Sequence, residues 1–141
     1  MGSGLTVRAR CERDCVIATI TGDVDIATAP LLRERLAKMA AAGTPVVVDL
    51  DRVSFIDAAG LGALVGAASQ AAAHGTTVRV VCARPRIRRL FRLTDLDRSL
   101  RLARTLAEAR QALAAKETTA RNTPAGTLTA PADLRLHLPA V

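Results

Sequence analysis

The pattern of apolar and polar positions begins with two short strand-like runs separated by a charged turn. Residues 7–11 and 15–21 are rich in β-branched side chains, and in the second run apolar and more polar positions alternate. A period of two on either side of the charged residues 12–14 predicts a β-hairpin. Gly22 to Asp25 are predicted to end the second strand, because glycine and aspartate are typical of turns.

Helical spacing then alternates with continuous apolar runs. Thr28 is the predicted N-cap of a first helix, with Pro30 in its first turn and Gly43 at its end. The apolar runs that follow are typical of strands covered by helices on both faces. The later elements are predicted as a strand over 46–56, a helix over 58–74, a strand over 77–82 and a helix from Pro85 with Ile87, Leu90, Phe91 and Leu93 on its apolar side.

The last third of the chain first completes the alternation of strands and helices and then shows no periodic pattern. Residues 100–102 predict a brief edge strand, and Thr105 is the predicted cap of a final helix. The order ββαβαβαβα indicates an α/β fold, a single domain with a small mixed sheet packed with about four helices. We expect residues 1–4 to be an N-terminal extension, 5–115 the domain, and 116–141 a flexible tail without periodicity.

Composition makes this core aliphatic and excludes several kinds of site. The 141 residues include two Phe and no Tyr or Trp, so the aromatic surfaces that bind single-stranded nucleic acid are missing. The three cysteines form no CxxC pair and the two histidines are far apart, which argues against zinc; we expect buried, reduced thiols. With neither a signal sequence nor a long apolar run, the sequence predicts a soluble, cytoplasmic protein.

The net charge of +7 is concentrated in one segment. Residues 84–104 contain eight arginines and two aspartates, a net charge of +6. Such a patch attracts nucleic acid, anionic lipid or an acidic protein surface, and it is also compatible with an ordinary solvated helix face. The arginines at its core are Arg84, Arg86, Arg88, Arg89 and Arg92.

The stretch Asp-Ala-Ala-Gly-Leu-Gly at residues 57–62 looks at first like a phosphate-binding loop. Its glycines miss the dinucleotide spacing by one residue, and no GxxxxGK[ST] motif is present. Asp57 is instead a predicted N-cap of the following helix. Each glycine within a helix costs about 1 kcal/mol relative to alanine, so Gly60 and Gly62 predict close approach of another backbone, from this domain or from a partner.

Other chemistries fit the sequence poorly. A phosphoryl-accepting receiver domain would need an acidic pair after its first strand and a late lysine, and Asp23 and Asp25 only weakly imitate the pair. Asp49 and Asp51 share a strand face with nothing nearby that suggests acid–base catalysis. No serine or cysteine lies in an elbow near a histidine. We therefore predict no enzyme activity, no cofactor and no metal.

Residues 5–115 resemble a STAS domain of the bacterial anti-sigma factor antagonist type. The matching segments are Gly22-Asp-Val-Asp25 with Thr28-Ala29, Val47-Val-Asp-Leu50 leading to Val53-Ser-Phe-Ile-Asp57, Gly60-Leu-Gly62, and Arg84-Pro85 through Ile87-Arg-Arg-Leu-Phe91. The resemblance implies a protein that binds a serine-kinase anti-sigma factor of the GHKL type and thereby releases a sigma factor. It implies neither nucleic-acid binding nor a membrane span.

The sequence departs from that family at its regulatory position. The family usually has Asp-Ser-Ser-Gly or Asp-Ser-Thr-Gly where this chain has Asp57-Ala58-Ala59-Gly60, and the first hydroxyl is the one that the partner phosphorylates. Alanine has no oxygen to accept a phosphoryl group, so the resemblance implies a switch loop that cannot be switched. Ser54 is the nearest hydroxyl, and its place on a predicted buried strand makes it a poor substitute.

Three interpretations remain from the sequence. The chain is an antagonist fixed in its binding-competent state, a STAS module for another partner such as a phosphatase or kinase scaffold, or a subunit associated with a transporter. The first predicts a partner-binding face made of Asp23, Asp25, Asp57, Ala58, Ala59, Gly60, Leu61 and Gly62. The oligomeric state, including a homo-oligomer, stays open, as do the identity of the sigma factor and the roles of the arginine patch and tail.

Overall fold

A computed structural model describes residues 4–121, which contain four strands and five helices. The strands are β1 (Thr6–Cys11), β2 (Val16–Val24), β3 (Val46–Ile56) and β4 (Val78–Val81). The helices are α1 (Ala29–Ala40), α2 (Ala58–Ala73), α3 (Pro85–Leu93), α4 (Leu96–Ser99) and α5 (Leu106–Arg121). The predicted α/β class and single mixed sheet are confirmed, with one more helix than expected in the described residues.

The four strands form one sheet in the order β1-β2-β3-β4. The predicted hairpin is present: β1 and β2 pair antiparallel, with Val7 opposite Ile20. The pairs β2–β3 and β3–β4 are parallel, with Val16 opposite Val46 and Val46 opposite Val78. Because parallel neighbours require a crossover, α1 connects β2 to β3, and α2 connects β3 to β4.

The sheet separates two apolar layers. Ala18, Ile20 and Val48 on one face pack in the larger core with side chains of α1, α2 and α3, such as Leu36 and Leu64. On the other face, Ile17, Val47 and Val81 pack in a smaller core with α5, through Ala109 and Leu113. Burying one such aliphatic side chain stabilises the fold by about 1.5–3 kcal/mol, which is how a chain nearly without aromatic residues maintains its core.

Strand β2 continues past the turn that the sequence predicts. It extends to Val24, and its pairing with β3 shifts register near Thr21 and again between Gly22 and Asp23. Gly22 has a φ of 109°, and a Cβ built on it would lie 2.4 Å from the carbonyl oxygen of Gly4. Glycine therefore bends the strand without ending it.

The predicted edge strand over 100–102 is wrong: residues 100 and 101 form a turn after α4, and a single parallel bridge then joins Val81 to Ala103. Asp95 and Arg101, on either side of α4, take left-handed backbone conformations with φ of 60° and 51°. These two turns leave only a short extended stretch beside β4, where the Ala103 N–H donates to the Val80 carbonyl at 2.9 Å. Helix α3 also differs from the prediction at one position, since Leu93 is exposed whereas Ile87 and Phe91 are buried.

Helix α5 begins with the predicted cap, because the Thr105 hydroxyl accepts the Glu108 N–H at 3.1 Å. The helix continues to Arg121, beyond the predicted domain end at residue 115. The rest of the predicted tail, 122–141, and residues 1–3 of the predicted extension lie outside the described residues. Across residues 4–121, none of the helices is both long enough and apolar enough to span a bilayer.

The cysteines divide into two kinds. Cys15 and Cys82 are buried, as predicted, and burial raises the pKa of both thiols, so each is kept in its poorly nucleophilic form. Cys11 is exposed near the end of β1, where the prediction of a buried thiol is wrong. Cys11 is the last residue of β1, directly before the turn of the hairpin.

Candidate functional site

Asp57 fixes the start of α2. Its backbone is extended, with φ of −116° and ψ of −172°, and its Oδ1 accepts the Gly60 N–H at 3.0 Å, as expected of an N-cap. Its own N–H donates to the Val24 carbonyl at 3.1 Å. The residue that ends β3 and begins α2 is therefore also bonded to the end of β2.

The packing of the described residues requires a glycine at position 60 but not at position 62. A Cβ on Gly60 would lie 2.6 Å from both the carbonyl oxygen and the Cγ1 of Val24, and 2.8 Å from the Cγ1 of Ile56. The predicted close approach is thus confirmed for Gly60, and the approaching backbone belongs to the same domain. A Cβ on Gly62 would meet no atom within 4 Å, so nothing in the described residues of this chain requires a glycine there.

The two alanines and Leu61 differ in how they face the solvent. Ala58, the first residue of α2, is exposed, and Ala59 is half-buried. Leu61 is only 6% exposed and packs in the larger core, and Gly60 is buried on the side of α2 that faces Val24 and Ile56. Of the predicted contact residues in this stretch, Ala58, Ala59 and Gly62 are at the surface, and Gly60 and Leu61 support them from inside.

Asp23 and Asp25 lie in a closed turn between β2 and α1. The Oδ1 of Asp25 accepts the N–H groups of Ala27 and Thr28 at 3.0 and 3.1 Å. The Thr28 hydroxyl donates to the Asp23 carbonyl at 2.8 Å and accepts the Asp25 N–H at 3.0 Å. Thr28 occupies the predicted N-cap position but makes no side-chain bond to the helix. That prediction is wrong in mechanism, because the hydroxyl bonds backward and Asp25 organises the turn.

Val24 joins this turn to the start of α2, so the two predicted halves of the site are neighbours. We define the α2 face as the surface residues Asp23, Asp25, Asp57, Ala58, Ala59 and Gly62. The carboxylates of Asp25 and Asp57 accept backbone N–H groups, and a negative charge is favourable at the positive end of a helix dipole. Within residues 4–121, no three potential metal ligands of the His, Cys, Asp or Glu type come together.

A groove of about 550 Å³ continues from the α2 face between α1 and α2. Ala59, Gly62 and Ala63 of α2 line one side, and Pro30 and Arg33 of α1 line the other. Ile26, at the mouth of the groove, is 78% exposed. Ile26 is absent from the predicted site residues, although a lone large apolar residue within a polar turn could have indicated it.

The arginines of the patch are of two kinds: two bond to backbone carbonyls, and three are free at the surface of the described residues. The guanidinium of Arg84 donates to the Val53 carbonyl, and that of Arg88 donates to the Cys82 carbonyl at 2.9 Å. These two residues attach α3 to the ends of β3 and β4. Arg86, Arg89 and Arg92 are exposed, and within the described residues none of the three forms a hydrogen bond or ion pair through its side chain.

Ser54 is also placed differently from the prediction. It is exposed on the second half of β3, where the strand's alternation has changed phase. Val46, Val48 and Leu50 are buried in the larger core, but the next inward residues are Val53 and Ile56. The irregular pairing with β2 produces this shift and turns Ser54 outward.

A mixed four-stranded sheet between two helical layers, with a capped helix start exposed at the end of its inner strands, defines a small α/β domain of the STAS class. The STAS domain profile matches residues 6–109, which is most of the chain, and the chain belongs to that family. The segments that carried the resemblance build the α2 face, strand β3 that leads to it and the attachment of α3.

Two of its relatives are antagonists of anti-sigma factors. The anti-sigma-B factor antagonist of Bacillus subtilis is 30% identical over 92 residues, 65% of this chain and 84% of the relative. A crystal structure of an anti-sigma factor antagonist from Mycobacterium paratuberculosis is 27% identical, with a TM-score of 0.73 over 80% of this chain and 97% of that chain.

The same fold occurs in a larger protein of a different kind. The murine anion transporter Slc26a9 matches 77% of this chain with a TM-score of 0.64 and 19% identity, over 19% of its own length. A similarity at this level concerns the fold alone. The architecture by itself therefore does not distinguish an antagonist from a transporter-associated module.

Proposed function

We propose that this protein is an anti-sigma factor antagonist that binds its anti-sigma factor through the α2 face. The two relatives with the names given above support this function over that of a transporter-associated subunit. The observation that carries the choice of surface is the open start of α2. There Ala58 is exposed, and the space above Gly62 is empty of this chain's described atoms, so a partner backbone can approach closely.

The proposed partner is a GHKL-type serine kinase that acts as an anti-sigma factor, and its capture would free a sigma factor. Ala58 stands where the resembled family has its phosphorylated serine. A phosphate there would add about −1.5 to −2 charges beside the Asp57 carboxylate and within the contact surface. Since alanine cannot accept it, we propose that the α2 face is permanently competent to bind, and that regulation acts through expression or competition.

The test is a charge introduced at Ala58 and a matched charge elsewhere. Ala58→Glu places a carboxylate at the proposed contact, whereas Ala42→Glu adds the same charge at an exposed position after α1, at the opposite end of the sheet. Each protein is titrated by calorimetry against the GHKL-type kinases encoded in the source genome. We expect wild type and Ala42→Glu to bind one of them equally at about 1:1, and Ala58→Glu to bind at least about tenfold more weakly.

Two outcomes would contradict the proposal. Equal binding of Ala58→Glu and Ala42→Glu would show that the α2 face is not the contact. Failure of wild type to bind any such kinase, together with recovery of a phosphatase or a transporter from the native cell, would favour a STAS module for another partner.

A further inference from the structure

A second groove, of about 520 Å³, lies between the end of β3 and helix α3. We call it the β3–α3 groove. Its floor is made of Ile56 and Ile87, which are both buried. Its apolar walls are Phe55, Leu90 and Leu93. The groove is preformed, because Arg84 and Arg88 bond α3 to the strands.

The walls of the groove leave large apolar side chains in contact with water. Phe55 is 51% exposed and Leu93 is 72% exposed. Phe55 is one of only two aromatic residues in the whole chain, and it faces outward rather than contributing to the core. Contiguous exposed apolar surface of this kind marks an interaction site more often than a lone exposed leucine does.

Two arginines lie on the same face of α3 as two of the apolar residues that form the walls of the groove. Arg86, Arg89, Leu90 and Leu93 have the spacing i, i+3, i+4, i+7, so they lie on one face of α3. Arg86 and Arg89 line the groove, and within the described residues their guanidinium groups have no carboxylate partner. The sequence has no acidic residue from position 58 to 94. The side of the rim formed by α3 is therefore positive, and the interior is apolar.

We propose that the β3–α3 groove binds an acidic amphipathic helix supplied by a protein partner. Apolar side chains of that helix would cover Phe55 and Leu93, and its carboxylates would pair with Arg86 and Arg89. This is the helix-in-groove mode of recognition, with specificity from charge complementarity. A concave apolar site fits a helix better than a flat bilayer, and a single half-exposed ring is a poor platform for stacked bases.

The groove is separate from the α2 face, although Ile56 directly precedes Asp57 in the chain. The two surfaces share no residue, and the proposal stands whether or not the partner at the α2 face is an anti-sigma factor. Arg86 and Arg89, which lie on α3, can therefore be varied without changing a residue of the α2 face.

The test measures fluorescence anisotropy with a designed, fluorescein-labelled helical peptide that has leucines on one face and flanking glutamates. One double variant, Phe55→Ser with Leu93→Ser, removes the apolar walls. Another, Arg86→Glu with Arg89→Glu, reverses the rim. Arg8→Glu with Arg13→Glu is the control, since it changes the net charge equally at exposed positions in the β1–β2 hairpin. Circular dichroism verifies that every variant is folded.

We expect both groove variants to bind the acidic peptide at least about tenfold more weakly, and the control to stay within about threefold of wild type. A peptide with lysines replacing the glutamates, or serines replacing the leucines, should bind with similarly reduced affinity. No saturable binding of the acidic peptide, or equal weakening by the hairpin control, would overturn the proposal. Displacement of the peptide by phosphatidylglycerol vesicles or duplex DNA at lower concentration would replace it with a membrane or nucleic-acid site.

Discussion

Gly60 and Gly62 are two residues apart in the same helix, and we predict opposite effects when each becomes alanine. Alanine favours a helix by up to about 1 kcal/mol over glycine at either position. At Gly62 that gain is unopposed, because the added methyl group meets no atom within 4 Å. Gly62→Ala should therefore raise the free energy of unfolding by about 0.5–1 kcal/mol.

At Gly60 the methyl group would overlap Val24 and Ile56, at 2.6 and 2.8 Å. Two of the three contacts at Gly60 involve atoms that are hard to move, a backbone carbonyl and a side chain that is fully buried. Overpacking of this kind costs about 1–3 kcal/mol. Because all three contacts are below 3 Å, the cost is expected in the upper part of that range, about 2–3 kcal/mol, and after subtraction of the helix gain Gly60→Ala should lower the free energy of unfolding by about 1–2 kcal/mol.

The assay is urea unfolding followed by far-UV circular dichroism, because the chain has no tryptophan to report by fluorescence. The two variants should fall on opposite sides of wild type in midpoint, with unchanged slopes. If Gly60→Ala is as stable as wild type, α2 does not pack against β2 as closely as described. If Gly62→Ala is stabilised yet binds the anti-sigma factor more weakly, the open space above Gly62 belongs to the partner.

Three further outcomes follow. Asp57→Ala should lose about 1 kcal/mol of stability in urea, whereas Asp57→Asn, which keeps the cap, should lose a few tenths. In Ala58→Ser, the partner kinase with ATP should add one phosphate detectable by mass spectrometry, and wild type should gain none at this loop. Partial burial raises the pKa of Asp14, but its hydrogen bond with Arg110 at 3.1 Å and the arginine's charge outweigh this effect and lower it. Asp14→Asn should therefore cost up to about 1 kcal/mol at neutral pH, and the difference from wild type should vanish as pH falls through the lowered pKa.

Each of these has a result that would contradict it. Equal losses for Asp57→Ala and Asp57→Asn would mean that the side-chain cap is unimportant. An unmodified Ala58→Ser protein, still bound by the kinase, would mean that this loop is not presented for phosphoryl transfer. An Asp14→Asn deficit that persists in acid would assign its cause to something other than the charge pair between α5 and the hairpin.

Local patterns predicted the sheet and the start of α2 well, for identifiable reasons. Strand β2 was predictable because it is a run of apolar and β-branched residues between two turns, and both of its faces are covered: Ala18 and Ile17 are buried in different apolar layers. Asp57 and Gly60 were predictable because a cap and a close approach each require a particular residue type. These features depend on neighbours in sequence or on simple sterics.

Features that depend on distant partners were not predictable in the same way. Thr28 and Asp25 are both good capping residues, and the choice between their roles depends on the Asp23 carbonyl, which β2 places within reach of the hydroxyl. Arg84 has the same charge as Arg86, but it is separated from its acceptor on Val53 by 31 positions in the chain. Ser54 is exposed because of a register shift in β3, which residue types alone do not reveal.

The bonds that hold Asp57 to both Val24 and Gly60 affect how quickly a partner can bind, as well as where. Because the backbone at the start of α2 is already ordered in the free protein, docking requires no folding of that loop. A rigid surface of this kind is expected to associate at about 10⁵–10⁷ M⁻¹s⁻¹, with little change among neutral variants. Substitutions of neutral residues on the α2 face should therefore alter the lifetime of the complex rather than the rate at which it forms.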